Sequence, residues 1–86
     1  MAKFNLGYWK ATPVFRAILE IAISKPEGVS ESELEEILRK NYDIEITKPE
    51  LYHTLIKLEL HGFLRVEHVG KELMIRLSPS FTQLLQ

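Results

Sequence analysis

Apolar residues recur along this chain with a helical period as far as Gly62 and with an alternating period after it. Thr12-Pro13 reads as an N-cap followed by proline at the first helical position. From there Val14, Ile18, Leu19, Ile21 and Ala22 keep helical spacing. They predict a first helix over 13–24, stopping near Lys25-Pro26-Glu27-Gly28. Ser30 and Glu33 form a capping-box pattern, and Leu34, Ile37 and Leu38 a narrow apolar stripe. The second helix is therefore expected over 31–41. Its acids, Glu31, Glu33, Glu35 and Glu36, lie near the positive end of the helix dipole, and Arg39 and Lys40 close the other end. After a short connection Thr47 and Glu50 make a second capping box, with Pro49 in the first turn and Gly62 as the stop. This predicts a third helix over 48–61. Leu51, Leu55 and Leu58 share one of its faces, and Glu50, His53 and Lys57 roughly the opposite one. Ile56 and Leu60 fall off the apolar stripe, where they either pack under the next element or form a contact surface.

Beyond Gly62, Leu64 and Val66 and then Leu73, Ile75 and Leu77 read as the inner face of two strands. With Val69-Gly70 as a tight turn, Val66 would face Leu73, Leu64 would face Ile75, and Glu67 would stand opposite Glu72. Ser78-Pro79 opens a short closing helix over 79–85, with Phe81, Leu84 and Leu85 apolar. The order is three helices, two strands and a short helix. It predicts one α+β, mainly α domain over 1–86: a winged helix-turn-helix with a three-helix core, a two-stranded hairpin wing over 63–77 and a closing helix. Capping, periodicity and turn signals agree on it.

Leu51-Tyr52, Leu55, Leu58-Glu59 and Gly62-Phe63-Leu64 resemble the third-helix pattern of PadR-type transcriptional regulators, and MarR-type regulators have a similar spacing. Arg76-Leu77-Ser78-Pro79 looks like the end of their second wing strand. The size is similar to that of compact winged-helix proteins of archaea and their viruses. The resemblance implies a DNA-binding regulator acting as a homodimer. Its specific motif covers only about 48–64. PadR-type proteins continue into a long dimerisation helix and MarR-type proteins have further helices on both sides, so the DNA-reading element carries over better than the mode of dimerisation.

Composition narrows the field. The sequence has 86 residues, no cysteine and a formal charge of −1. Its length excludes barrels and full dinucleotide-binding sheets. No stretch of about 20 apolar residues offers a membrane span, and the N-terminus lacks the apolar core of a signal peptide, so a cytoplasmic protein is expected. Two Asn and two Gln beside many Ile, Leu, Glu and Lys lean toward a thermophile composition. The near-neutral total hides segregation: residues 1–25 carry a net +3, 26–46 a net −5 and 47–86 a net +1. Double-stranded DNA binding would then rest on a few placed residues. No catalytic site, cofactor or metal is expected. His53, His61 and His68 are spaced by eight and seven, off metal-ligand spacing, and there is neither a nucleophile elbow nor a Gly-rich phosphate loop.

In a winged helix the third helix enters the major groove and the wing touches backbone or minor groove. Candidate readers are Thr47, Lys48, Glu50, Tyr52, His53 and Lys57, with Lys48 and Lys57 for phosphate. On the wing, His68 and Lys71 flank the turn, while Glu67 facing Glu72 would oppose DNA. Two copies would read an inverted repeat. The dimer interface is expected from the aromatic N-terminal arm, Phe4, Leu6, Tyr8 and Trp9, and from Phe81, Leu84 and Leu85. A lid over the chain's own core is the other reading of that arm. The alternative function is a protein-interaction module docking through Glu31, Glu35 and Glu36 on the second helix.

Overall fold

Pro13 sits in the first turn of α1 (Pro13–Ser24), where its missing N–H leaves no helical bond unmade. α1 is the central helix of the core: Phe15, Ala17, Ile18, Leu19, Ile21 and Ala22 are all buried. The computed structural model describes residues 13–85, with the side chains of Leu84 and Leu85 left aside. β1 (Val29–Ser30) leads directly into α2 (Glu31–Tyr42), whose N-cap Ser30 accepts the Glu33 N–H at 3.2 Å. The reciprocal half of that capping box is not made, because Glu33 turns to Lys25 at 3.4 Å. α2 ends on Asp43 with φ 56°, and Leu38 O accepts the N–H groups of Asp43 and Ile44. Aspartate tolerates this left-handed conformation better than most residues.

α3 (Lys48–Leu60) starts on a complete capping box between Thr47 and Glu50. It stops on Gly62 at φ +83°, where the Gly62 N–H donates to Glu59 O and the Phe63 N–H to Leu58 O, both at 3.0 Å. These are the paired bonds of a Schellman motif, and the positive φ suits glycine. Leu51, Leu55 and Leu58 face inward and are buried.

β2 (Leu64–Val69) and β3 (Glu72–Leu77) form the hairpin, and β1 adds to the free edge of β3. The sheet is antiparallel with the order β1-β3-β2, so it holds one strand more than the expected two. The loop is Gly70-Lys71, and Gly70 takes φ +65°, as the first residue of a type II′ turn requires. This corrects the expected pairing. Val66 opposes Ile75, Leu64 opposes Leu77 and Glu67 opposes Met74, while Glu72 pairs with Val69.

α4 (Pro79–Leu85) is capped by Ser78, which accepts the Phe81 N–H and donates to Gly62 O. Phe81 is 4% exposed and packs on Phe63 with ring centroids 5.0 Å apart. Its expected place in a dimer interface is thereby corrected: the ring belongs to the protein's own core, and covering the α3–β2 corner consumes its surface. Phe4, Leu6, Tyr8 and Trp9 lie outside the described residues. The architecture is an α+β, mainly helical winged helix-turn-helix.

Candidate nucleic-acid interface

Glu31 organises the candidate site. It is the first residue of α2, only 6% exposed, and its carboxylate reaches two other elements. Oε2 accepts from Lys48 Nζ at 2.9 Å and from the Tyr52 hydroxyl at 2.8 Å. Oε1 accepts the Leu73 N–H of β3 at 2.9 Å. β1 stops pairing with β3 after Ser30, and the Glu31 side chain continues that pairing. Burial raises the pKa of this carboxyl, but the hydrogen bonds from Lys48, the Leu73 N–H and Tyr52 outweigh it and hold the pKa at about 2. Lys48 is pushed above the ordinary lysine range by its bonds to Glu31 and Glu35, the latter at 3.0 Å. Tyr52 is likewise raised, because its hydroxyl donates to Glu31.

A second carboxylate ties the same elements from the other side. Glu72 Oε1 on β3 accepts the Ser32 N–H at 3.1 Å and the Ser32 hydroxyl at 2.7 Å, and its pKa is lowered by these bonds. Helix α2 and strand β3 thus exchange carboxylates, each satisfying the other's backbone N–H. Glu67 lies 3.8 Å from the Arg76 guanidinium. The two wing acids expected to face each other and oppose DNA are therefore both engaged within the protein.

The eight predicted reader residues divide into two sets. Thr47 and Glu50 cap α3, and Lys48 and Tyr52 hold Glu31; their polar ends are occupied. His53, Lys57, His68 and Lys71 are exposed, and among the described residues none of them makes an ion pair or side-chain hydrogen bond. Two hollows flank the outward side of α3. Tyr52, Ile56, His68 and Lys71 border a cleft of about 410 Å³ against the wing, over a floor of Leu55, Val66 and Leu73. His53 and Lys57 border another against Pro13, Glu45 and Ile46. His68 and Lys71 of the wing thus join Tyr52, while His53 and Lys57 face the start of α1.

Sequence reasoning missed the Glu31 hub. Of the two readings left open for Ile56 and Leu60, packing under the next element or forming a contact surface, the structure leaves both side chains exposed, at 55% and 80%. The acidic docking face of the alternative reading is corrected at Glu31 alone. Glu31 is buried, Glu35 holds Lys48, and Glu36 pairs with Lys40 at 2.9 Å, which lowers its pKa. Among the described residues no group of three His, Asp or Glu side chains is placed to hold a metal, and no helix is long and apolar enough to cross a membrane.

Three helices with an antiparallel hairpin behind the third define the winged-helix class of fold. No protein-family model and no curated protein sequence matches the chain. Among solved structures, that of a transcriptional regulator from Clostridium thermocellum is similar, with a TM-score of 0.66 and 20% sequence identity over 83% of this chain and 71% of that one. At that identity the likeness is one of fold.

Proposed function

We propose that this chain is a sequence-specific double-stranded DNA-binding protein, a transcriptional regulator of PadR- or MarR-like type that acts as a homodimer. The observation that carries the reading is the outward side of α3. It holds His53 and Lys57, which have no ion pair or side-chain hydrogen bond among the described residues, and is bordered on the wing by His68 and Lys71. A helix of this diameter fits a major groove about 12 Å wide. Lys57 and Lys71 serve as phosphate contacts, and His53 reads a base edge or phosphate. The Glu31 hub keeps α3 and the wing in fixed relation, so both meet DNA as one surface. The similarity to a protein described as a transcriptional regulator supports the same reading.

Two copies would present two α3 helices to successive major grooves and select an inverted repeat. Phe4, Leu6, Tyr8, Trp9, Leu84 and Leu85 are the residues proposed for that contact. The alternative of an interaction module using the helix-2 acids is less favoured, because Glu31 is buried and Glu35 already holds Lys48.

The test is selection from a random duplex pool, followed by binding of the selected duplex across a salt series, with the oligomeric state followed by sedimentation. A selected motif with twofold symmetry is expected, with log affinity falling linearly as log salt rises. Affinity no greater than for random duplex at low salt, with the oligomer intact, overturns the reading.

A further inference from the structure

Ile56 stands near the centre of the outward side of α3, one turn after Tyr52 and His53 and directly before Lys57. The inward side is fully supplied by Leu51, Leu55 and Leu58, so the core does not require an aliphatic residue at 56. The side chain is nevertheless a β-branched hydrocarbon, 55% exposed, among residues whose neighbours at 53 and 57 are polar. Its rotamer is restricted by branching, so little freedom is lost on contact. Thymine places a C5-methyl group in the major groove, the one apolar feature on any base edge there, and apolar side chains recognise it.

We propose that Ile56 is a specificity-determining residue that reads thymine through its methyl group. The inference rests on the DNA-binding reading and adds to it which base is selected opposite the middle of α3. Charge complementarity favours DNA over a protein as the occupant of this strip. Lys57 lies beside Ile56 and Lys71 lies across the cleft from it, two cations suited to phosphates. The carboxylates on the same cleft are engaged, Glu31 by Lys48, Tyr52 and the Leu73 N–H and Glu59 by the Val66 N–H. The hub at Glu31 fixes the start of α3 and leaves the 56 position to set the contact.

The test begins with a duplex that the wild-type protein selects from a random pool. That duplex is amplified once with thymidine and once with deoxyuridine, which removes every thymine methyl and leaves all hydrogen-bonding groups in place. Wild-type protein should bind the uracil duplex roughly fourfold more weakly per methyl group contacted. Ile56→Ala should bind both duplexes alike while keeping the wild-type salt dependence. Equal binding of the two duplexes by wild type overturns the inference and leaves DNA binding standing. Equal discrimination by wild type and Ile56→Ala overturns it as well, because the methyl effect then arises elsewhere. Duplex-independent loss of self-association in Ile56→Ala, with no methyl effect in wild type, reassigns the residue to a protein contact. Failure of wild type to select any duplex overturns the DNA-binding reading itself and this inference with it.

Discussion

The first turn of α3 and its outward side carry similar residue types in opposite circumstances. In the first turn, Thr47, Lys48, Glu50 and Tyr52 spend their polar groups inside the protein, on the helix cap and on Glu31. On the outward side, His53, Ile56 and Lys57 have no such partners among the described residues. A lysine in the reading helix is thus a poor guide to phosphate binding until its partners are known. Lys48 is half exposed, yet its ammonium lies within 3.0 Å of two carboxylates. Lys57 offers a charge that nothing in the described protein answers. The first turn sets where the helix lies, and the outward side remains available for a partner.

Removing the hub is the largest single blow to this division. Glu31→Ala leaves the Leu73 N–H without an acceptor and separates α3 from α2 and β3. Breaking a buried pair costs about 3–5 kcal/mol, and the partial exposure of Lys48 places the expected loss just below that range, about 2–3 kcal/mol in urea unfolding. A change within ~0.5 kcal/mol would mean that the first turn is not pinned through this carboxylate.

Acid reads the same contact in the wild type. The ordinary pKa of Glu31 is 4.5 and the folded value about 2. A depressed folded pKa gives a contribution that is fully present above 4.5 and lost as pH falls toward 2. Wild type should therefore lose stability over that window more steeply than Glu31→Gln, which has no carboxyl to protonate. Parallel stability curves for the two proteins would show that Glu31 does not titrate with folding.

How much of this was legible from the sequence depended on how local the signal was. The start of α3 was readable because Thr47 and Glu50 sit three residues apart, and its inward face because Leu51, Leu55 and Leu58 repeat on one side. The hairpin was readable as a hairpin but not in register. Pairing Val66 with Leu73 or with Ile75 keeps the same residues inward, because the two choices differ by two positions and side chains alternate with period two. The positive φ of Gly70 decided between them, and that belongs to the turn. β1 was hidden by its length of two residues. Glu31 was hidden by distance, since its partners lie 17, 21 and 42 residues along the chain. An acid at a helix start is otherwise explained by the dipole alone.

A smaller effect is expected at the cap itself. Thr47→Ala removes the acceptor for the Glu50 N–H and half of the capping box. Loss of such a cap costs ~1 kcal/mol, measurable as a lower urea midpoint at unchanged slope. DNA affinity should fall by no more than the lost stability explains, because the Thr47 hydroxyl faces the helix backbone. A loss of affinity at full stability would move Thr47 to the outward set.

The least effect on stability, and the clearest on binding, is expected at Lys57. Lys57→Met removes an exposed charge with no ion pair among the described residues, so stability should stay within ~0.5 kcal/mol. If each copy neutralises one phosphate through Lys57, the slope of log affinity against log salt should shrink by ~0.9 per copy bound. Lys48→Met is the counterpart: it should lower stability by uncovering Glu31 and Glu35, and leave the salt slope unchanged. The two variants thus exchange signatures across one helix. A reduced slope in Lys48→Met would show that phosphate takes this ammonium from its carboxylates on binding, so that the first turn is itself a reader.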